Sequence, residues 1–91
     1  EIHYCIMFSP YIDIHTSSEK ITVRKKISEL EREIPSKYFI RCHRSYIVNV
    51  SKINEIIPWF NNTYKLKLDD INSEIPVSRS KIKDFRIIMN I

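Results

Sequence analysis

Short segments in which apolar and polar residues alternate recur along this chain, and they restrict it to a mainly β fold. Successive side chains of a β-strand point to opposite faces, so a half-buried strand alternates with a period of two. The alternation is strictest in Thr63 to Leu68. Further predicted strands are Ile2 to Phe8, Tyr11 to His15, Lys20 to Arg24, Tyr38 to Cys42, Ile53 to Phe60 and Glu74 to Val77. Tyr46 to Val50 fits a strand or a helical turn, and the sequence leaves both open.

The turns between these strands must form without glycine, because the chain contains none. Glycine is the residue that adopts positive φ at no steric cost, and Asn, Asp, Ser and Pro are the other common turn residues. We therefore predict turns at Ser9-Pro10, Thr16 to Glu19 and Asp69 to Ser73. Asn61-Asn62 is predicted as a two-residue hairpin turn, since Asn tolerates positive φ.

A first short helix is predicted from apolar residues at helical spacing. Ile27, Leu30 and Ile34 lie on one face, with charged residues on the others, and Pro35 marks the end. Lys25-Lys26 stands where a Ser or Asp cap would be expected, so the start of this helix is poorly capped.

A second short helix is predicted at the end of the chain. Ile82, Phe85 and Met89 (or Ile88) share a face at helical spacing. Ser78 or Ser80 is the candidate residue to cap its N-terminus. Together with the strands, the two helices indicate one mainly β domain over residues 1–91.

Composition narrows the class of protein without naming a function. The net charge of +4 favours a polyanionic partner, although many basic proteins never bind nucleic acid. No stretch approaches the roughly 18 apolar residues of a membrane span, and no signal peptide is recognisable, so we expect a cytoplasmic domain without membrane contact. Because the chain begins at Glu1 instead of methionine, we expect it to be cut from a longer protein.

Cysteine and histidine residues do not form a recognisable catalytic or metal-binding pattern. Cys5 and Cys42 lack ligand spacing and are predicted to be reduced, buried thiols. Cys42 and His43 are adjacent on a predicted strand, so their side chains should point to opposite faces instead of forming a nucleophile–base pair. We expect no enzyme activity, no metal and no cofactor.

Two clusters of arginine and serine carry the strongest functional signal. Arg44 lies within the block FIRCHRSYIVN, which starts at Phe39, and Arg79 lies within IPVSRS, which starts at Ile75. Each cluster stands between apolar strand residues at a change of chain direction. The arginine fork matches guanine O6 and N7 in the major groove, and serine hydroxyls bind phosphates. Taken singly, each arginine also fits a solvated or salt-bridged surface group.

Both blocks, in this order and separation, resemble the LytTR DNA-binding domain family over nearly the whole chain. The resemblance implies small antiparallel sheets in an elongated, β-sandwich-like arrangement with one or two short helices. It also implies sequence-specific binding of duplex DNA through loops, in the output domain of a bacterial two-component response regulator. Such domains usually follow an upstream regulatory domain, and two copies commonly bind paired direct repeats.

The resemblance further implies roles for individual residues. Arg44 and Arg79 would contact bases in the major groove. Residues expected to contact the DNA backbone or support the arginines are His43, Ser45, Ser78, Ser80, Lys81 and, from its charge and position, Lys83. Family members often carry a polar or basic contact residue in the first loop, where this chain has Ser9-Pro10-Tyr11; Ser9 or Tyr11 is expected to be a weaker substitute.

Two other functions remain open at this stage. The chain could be a protein-interaction module that presents a strand edge and basic loops to an acidic partner. It could also bind single-stranded nucleic acid through aromatic residues such as Trp59 and Tyr64, although core or cross-strand packing is the commoner role of such residues. Because the acidic segment Glu29 to Glu33 repels phosphate, we expect that helix on the side opposite the arginine clusters.

Overall fold

The computed structural model describes residues 1–69 and 73–91, which form two antiparallel sheets and two short helices. The strands are β1 (Ile2–Phe8), β2 (Tyr11–Thr16), β3 (Lys20–Arg24), β4 (Phe39–His43), β5 (Tyr46–Asn49), β6 (Ile53–Trp59), β7 (Thr63–Leu68) and β8 (Glu74–Val77). The helices are α1 (Ile27–Glu33) and α2 (Ile82–Met89). The predicted mainly β fold is confirmed. The predicted turn from Asp69 to Ser73 lies partly outside the described residues.

The first sheet has the strand order β3-β2-β1-β5-β4. It decides the segment that the sequence left open, because Tyr46–Asn49 pairs with β1 on one side and with β4 on the other. A strand with neighbours on both sides satisfies its backbone donors and acceptors, which a single helical turn at this position would not do.

The second sheet has the strand order β6-β7-β8, and its first hairpin turns through two asparagines. Asn61 and Asn62 have φ values of 58° and 57°, in the left-handed region, and the Thr63 N–H donates to the Phe60 carbonyl. Positive φ at both central residues suits the right-handed twist of the flanking strands. The predicted hairpin turn is confirmed, with asparagine in the role that glycine commonly takes.

Two apolar clusters lie on opposite faces of the five-stranded sheet, because alternate residues of one strand point to opposite sides. Tyr4 and Val48 pack with Leu66, Ile75 and other residues of the second sheet and of α2. The opposite face packs on α1 through Cys5, Ile12, Ile27, Leu30 and Ile47. The sheets therefore enclose a shared core, as in a sandwich, within principal extents of 32 × 25 × 24 Å.

The helix starts show one confirmed prediction and one correction. At α1, Lys26 makes no side-chain cap, as predicted, and Glu29 Oε1 accepts the Lys26 backbone N–H at 3.4 Å. At α2, neither predicted serine caps the helix, because a 3₁₀ turn (Arg79–Lys81) precedes it and Lys81 occupies the cap position. The hydroxyls of Ser78 and Ser80 lie 3.2 Å apart and bond each other instead.

Several predictions about single residues can be compared with the structure. Cys5 and Cys42 are free, buried thiols, as predicted, and burial raises the pKa of each to about 12. Tyr64 packs against Phe85. Of the two roles expected for the aromatic residues, core or cross-strand packing, Trp59 takes the second: it is 47% exposed at the end of β6 and contacts Lys65 of the neighbouring strand through its ring face. Neither helix of the described chain is long and apolar enough to cross a membrane.

Candidate nucleic-acid interface

The antiparallel order of the first sheet brings three chain segments to one end of it. The β1–β2 turn, the end of β3 and the β4–β5 turn all lie there, because β1, β3 and β4 run in the same direction. A backbone hydrogen bond joins two of these segments, since the Met7 N–H donates to the Ser45 carbonyl at 2.8 Å. We call this end of the molecule the loop end.

The end of β8 joins the loop end through a hydrogen bond between the two sheets. The Ser78 N–H donates to the Cys42 carbonyl at 2.9 Å. Cys42 lies two residues before Arg44, and Ser78 lies one residue before Arg79. Two segments that are far apart in sequence therefore leave their sheets at neighbouring points, and each carries an arginine immediately afterwards.

Both of these arginines are exposed and lack ion-pair partners in the described part of the chain. Arg44 lies in the β4–β5 turn and Arg79 starts the 3₁₀ turn after β8. The ion pairs found among the described residues involve other cations: Lys20, Lys25, Arg41 and Lys52. The salt-bridged alternative considered for Arg44 and Arg79 therefore finds no support in residues 1–69 and 73–91.

Arg41, on β4, supports the bend that carries Arg44. Its Nη2 donates to the Arg44 carbonyl at 2.6 Å, and its Nη1 lies 3.5 Å from Glu31 Oε1 on α1. The acidic helix α1 therefore lies next to the β4 residue that supports the Arg44 bend. The prediction that this helix lies on the side opposite the arginine clusters is wrong. Glu31 reaches this position because Ile27 and Leu30 dock α1 on the same sheet that carries β4.

His43 closes the same bend in its neutral form. Its Nδ1 accepts the Ser45 backbone N–H at 3.1 Å, and its ring meets the edge of Tyr46 at 5.5 Å between centroids. Burial lowers the pKa of His43 below its ordinary value of 6.5, and the charges of Arg44 and Arg41 lower it further. With Nδ1 accepting, the proton of the neutral ring resides on Nε2.

The remaining predicted contact residues fall into different surroundings. Ser45 and Ser78 are half-buried in the two joined segments, whereas Ser80 is exposed. Lys81 is half-buried and lines a cavity of about 260 Å³ with Arg41 and Asp84. Lys83 is exposed on α2, where it lines a separate groove with the apolar side chain of Ile87.

The first loop places its two predicted residues beside basic side chains. Ser9 lines a cavity of about 300 Å³ with Arg24, Lys26 and other residues. Tyr11 is 46% exposed, and the guanidinium carbon of Arg24 lies 6.0 Å from the centroid of its ring. Tyr11 and Arg24 are also direct partners in the β2–β3 register.

Sequence reasoning missed Arg24 and Arg41 as members of this end of the molecule. Arg24 could have been found, because counting outward from the predicted turn at Thr16 to Glu19 pairs Tyr11 with Arg24. Arg41 carried no such signal, since its two partners come from a distant helix and from a bend three residues ahead.

Several known proteins are similar to this chain in sequence. A sequence model of the LytTr DNA-binding domain matches residues 1–90. Transcriptional regulatory protein YpdB of Escherichia coli (strain K12) is 44% identical over 91 residues, which are 100% of this chain and 37% of that protein. Sensory transduction protein LytT of Bacillus subtilis (strain 168) is 40% identical over 81 residues, which are 89% of this chain and 33% of that protein.

A solved structure agrees with the sequence matches. A LytTr DNA-binding domain from Bacillus cereus superimposes with a TM-score of 0.91 at 31% identity, and the match covers 99% of this chain and 82% of that one. The family model, the curated relatives and the fold all lead to the same group of proteins. This chain therefore belongs to the LytTR DNA-binding domain family.

Proposed function

We propose that this chain binds duplex DNA sequence-specifically, as the output domain of a bacterial transcription regulator. One observation carries the proposal: two exposed arginines without ion-pair partners among the described residues follow strand ends that a hydrogen bond joins across the sheets. Membership in the LytTR family supports the same function. The names of the similar proteins, a transcriptional regulatory protein and a sensory transduction protein, agree with it.

The proposed mechanism assigns the reading of bases to Arg44 and Arg79 in the major groove. A guanidinium donates two hydrogen bonds to O6 and N7 of guanine, and one good bidentate pair contributes about 1–3 kcal/mol of discrimination. The two loops enter separate stretches of groove, which gives an elongated footprint. The Arg44 carbonyl accepts a hydrogen bond from Arg41, and the His43 imidazole accepts one from the Ser45 N–H. These two bonds hold the bend in one shape before it meets DNA.

Contacts to the phosphate backbone set the position of the domain on the duplex. Small donors suit this role, because hydroxyl and ammonium groups bind phosphate without regard to base sequence. Nε2–H of neutral His43 is a donor of this kind. The other proposed backbone or supporting contacts are Ser45, Ser78, Ser80, Lys81 and Lys83, with Ser9 and Tyr11 as weaker contacts from the first loop.

The arrangement of the whole regulator is also a proposal. The chain spans 37% of the length of YpdB and 33% of that of LytT. We propose that residues 1–91 form one output domain in a longer cytoplasmic protein with an upstream regulatory domain. Two copies of that protein would occupy paired direct repeats one helical turn apart. We propose no enzyme activity, because Cys42 is buried and the neighbouring His43 is engaged with Ser45.

Selection of bound duplexes from a random pool tests both the function and the arrangement. We expect an enriched pair of direct repeats that contain guanine. Arg79→Ala should then weaken binding to the selected site more than binding to scrambled duplex. Arg32→Ala, which removes an exposed arginine from α1, is the matched control and should leave the preference unchanged.

Two outcomes would overturn the proposal. Duplex binding that is absent at low salt, together with capture of acidic proteins, would favour the protein-interaction module. Preference for single strands with quenching of Trp59 fluorescence would favour single-strand binding, because Trp59 is the one tryptophan in the chain and its ring is exposed. Equal losses on specific and scrambled DNA would limit Arg79 to a phosphate contact.

A further inference from the structure

A second group of basic side chains lies at the loop end, at the edge of the five-stranded sheet that is formed by β3; the Arg44 bend lies towards the opposite edge, formed by β4. Arg24 is the last residue of β3 and Lys26 follows two residues later; both are exposed. They line one cavity with Ser9 and Pro10 of the β1–β2 turn. We call Arg24 and Lys26 the basic pair.

The side chain of Arg24 is held in place at this end of the sheet. Tyr11 is its direct partner on β2, and the guanidinium lies over the face of the Tyr11 ring. The guanidinium carbon lies 6.0 Å from the ring centroid, at the outer limit of a cation–π contact. Because the aromatic face neutralises no charge, the guanidinium keeps its N–H donors and its positive charge for an anion. Tyr11 is itself held in place, because it is the first residue of β2, which pairs with β1.

The nearby carboxylates leave the basic pair a net positive charge. Lys25, between the two members, forms an ion pair with Glu33. Glu29 lines the same cavity and accepts the Lys26 backbone N–H, so it faces the start of α1. Neither Arg24 nor Lys26 is among the cations paired with a carboxylate in residues 1–69 and 73–91.

The spacing of the strands relates the basic pair to the Arg44 bend. In the order β3-β2-β1-β5, three strand intervals separate Arg24 from the strand that the Arg44 bend enters. At about 4.8 Å per interval, this separation is about 14 Å. The major groove of B-DNA is about 12 Å wide. A separation of about 14 Å is therefore long enough to reach from bases within the groove to the phosphates along its border.

We propose that the basic pair is an additional DNA-backbone site, in which Arg24 binds a phosphate bordering the groove that Arg44 reads. This inference rests on the proposed function and adds a contact on β3 that the sequence did not indicate. Tyr11 acts as a positioning residue by holding the guanidinium. Lys26 contributes charge to the same stretch of backbone.

The slope of log Kd against log salt concentration tests the site, measured by fluorescence anisotropy with a selected duplex and a scrambled one. Each lost phosphate contact lowers the slope by about 0.9, so the defect of Arg24→Ala relative to the unmodified chain should shrink about 3.5-fold between 50 and 200 mM salt. The defect should be equal on both duplexes. Arg24→Lys should restore most of the slope, whereas Tyr11→Ala, which leaves the Arg24 side chain without its aromatic neighbour, should lower it.

Lys20→Ala is the matched control, because it removes one positive charge from the opposite end of the same strand. It should leave the slope unchanged. If Arg24→Ala binds with the unmodified slope while Arg79→Ala loses specific binding, the backbone site is overturned and the proposed function stands. A loss confined to the selected duplex would make Arg24 a base contact and overturn the phosphate assignment. Salt-independent binding of the unmodified chain would overturn both.

Discussion

Removal of the Arg41 guanidinium should loosen the bend that carries Arg44. Arg41→Met keeps most of the aliphatic stem, whose packing matters because the side chain is only 22% exposed. The substitution deletes the 2.6 Å hydrogen bond to the Arg44 carbonyl and the ion pair with Glu31. The Arg44 bend then keeps the hydrogen bond between His43 and Ser45 but loses the one from Arg41 and, with the Glu31 ion pair, its connection to α1.

The expected change in the free energy of unfolding follows from two stabilising interactions that are lost and one burial penalty that is relieved. A hydrogen bond from a charged donor contributes about 1.5–3 kcal/mol. The ion pair contributes about 0–1 kcal/mol, because Glu31 is 47% exposed. Nε of Arg41 is buried without a partner among the described residues, so its removal relieves a penalty of about 1–3 kcal/mol. With the middle of each range, a net loss of about 0.75 kcal/mol remains, which corresponds to a fall in Tm of about 3–6 °C for a domain of this size.

Thermal unfolding by circular dichroism measures the stability, and competition between selected and scrambled duplexes measures the specificity. Glu31→Gln is the control, since it removes only the ion pair and should cost less than about 1 kcal/mol. Arg41→Met should lose specific affinity even at temperatures where it is fully folded. A variant with unchanged Tm and an unchanged preference between the duplexes would refute the role of Arg41 in holding the bend.

Three further perturbations have outcomes that the structure determines. Because the folded pKa of His43 lies below 6.5, the unfolded chain takes up the proton first, and the free energy of unfolding should decrease as pH falls from about 6.5 through the folded pKa; an NMR titration that gives a folded value above 6.5 would contradict this. Asn61→Val places a branched side chain at φ 58° and should cost about 1–2 kcal/mol in urea unfolding, whereas Asn62→Gly should cost nothing. Cys5 and Cys42, with pKa values of about 12, should react with a thiol reagent at pH 8 only after denaturant is added, and rapid labelling of the native chain would show that they are not buried.

Sequence reasoning was most successful where a local rule acts on a few neighbouring residues. Alternation located the strands, and the asparagines located a turn that needs positive φ. It was less successful at the start of α2, where Ser78 and Ser80 have the right residue type but bond each other. It left core and cross-strand packing open for Trp59, because an aromatic residue at a strand end shows the same pattern in both cases; the structure shows the cross-strand contact with Lys65.

At the candidate interface, too, sequence reasoning succeeded for residues recognised from their neighbours in the chain and failed where tertiary packing decides. Arg44 and Arg79 were identified from the residues around them, and their exposure agrees with that prediction, although their roles at DNA remain proposals. Arg41 could not be identified in advance, because its two partners meet only when α1 packs on the sheet. Arg24 needed no tertiary contact, only the register of one hairpin.

The sequence by itself determined most of the strands, the apolar face of those that alternate and where the chain turns without glycine, but it left Tyr46–Asn49 open. These properties depend on residues within a few positions of one another, where periodicity and backbone sterics act directly. Only the tertiary structure decided which strands are neighbours, and so which loops share an end of the molecule. The bonds from Ser78 to Cys42 and from Met7 to Ser45 fix that arrangement, and they join backbone groups, which every residue except proline carries alike and which leave no trace in the sequence.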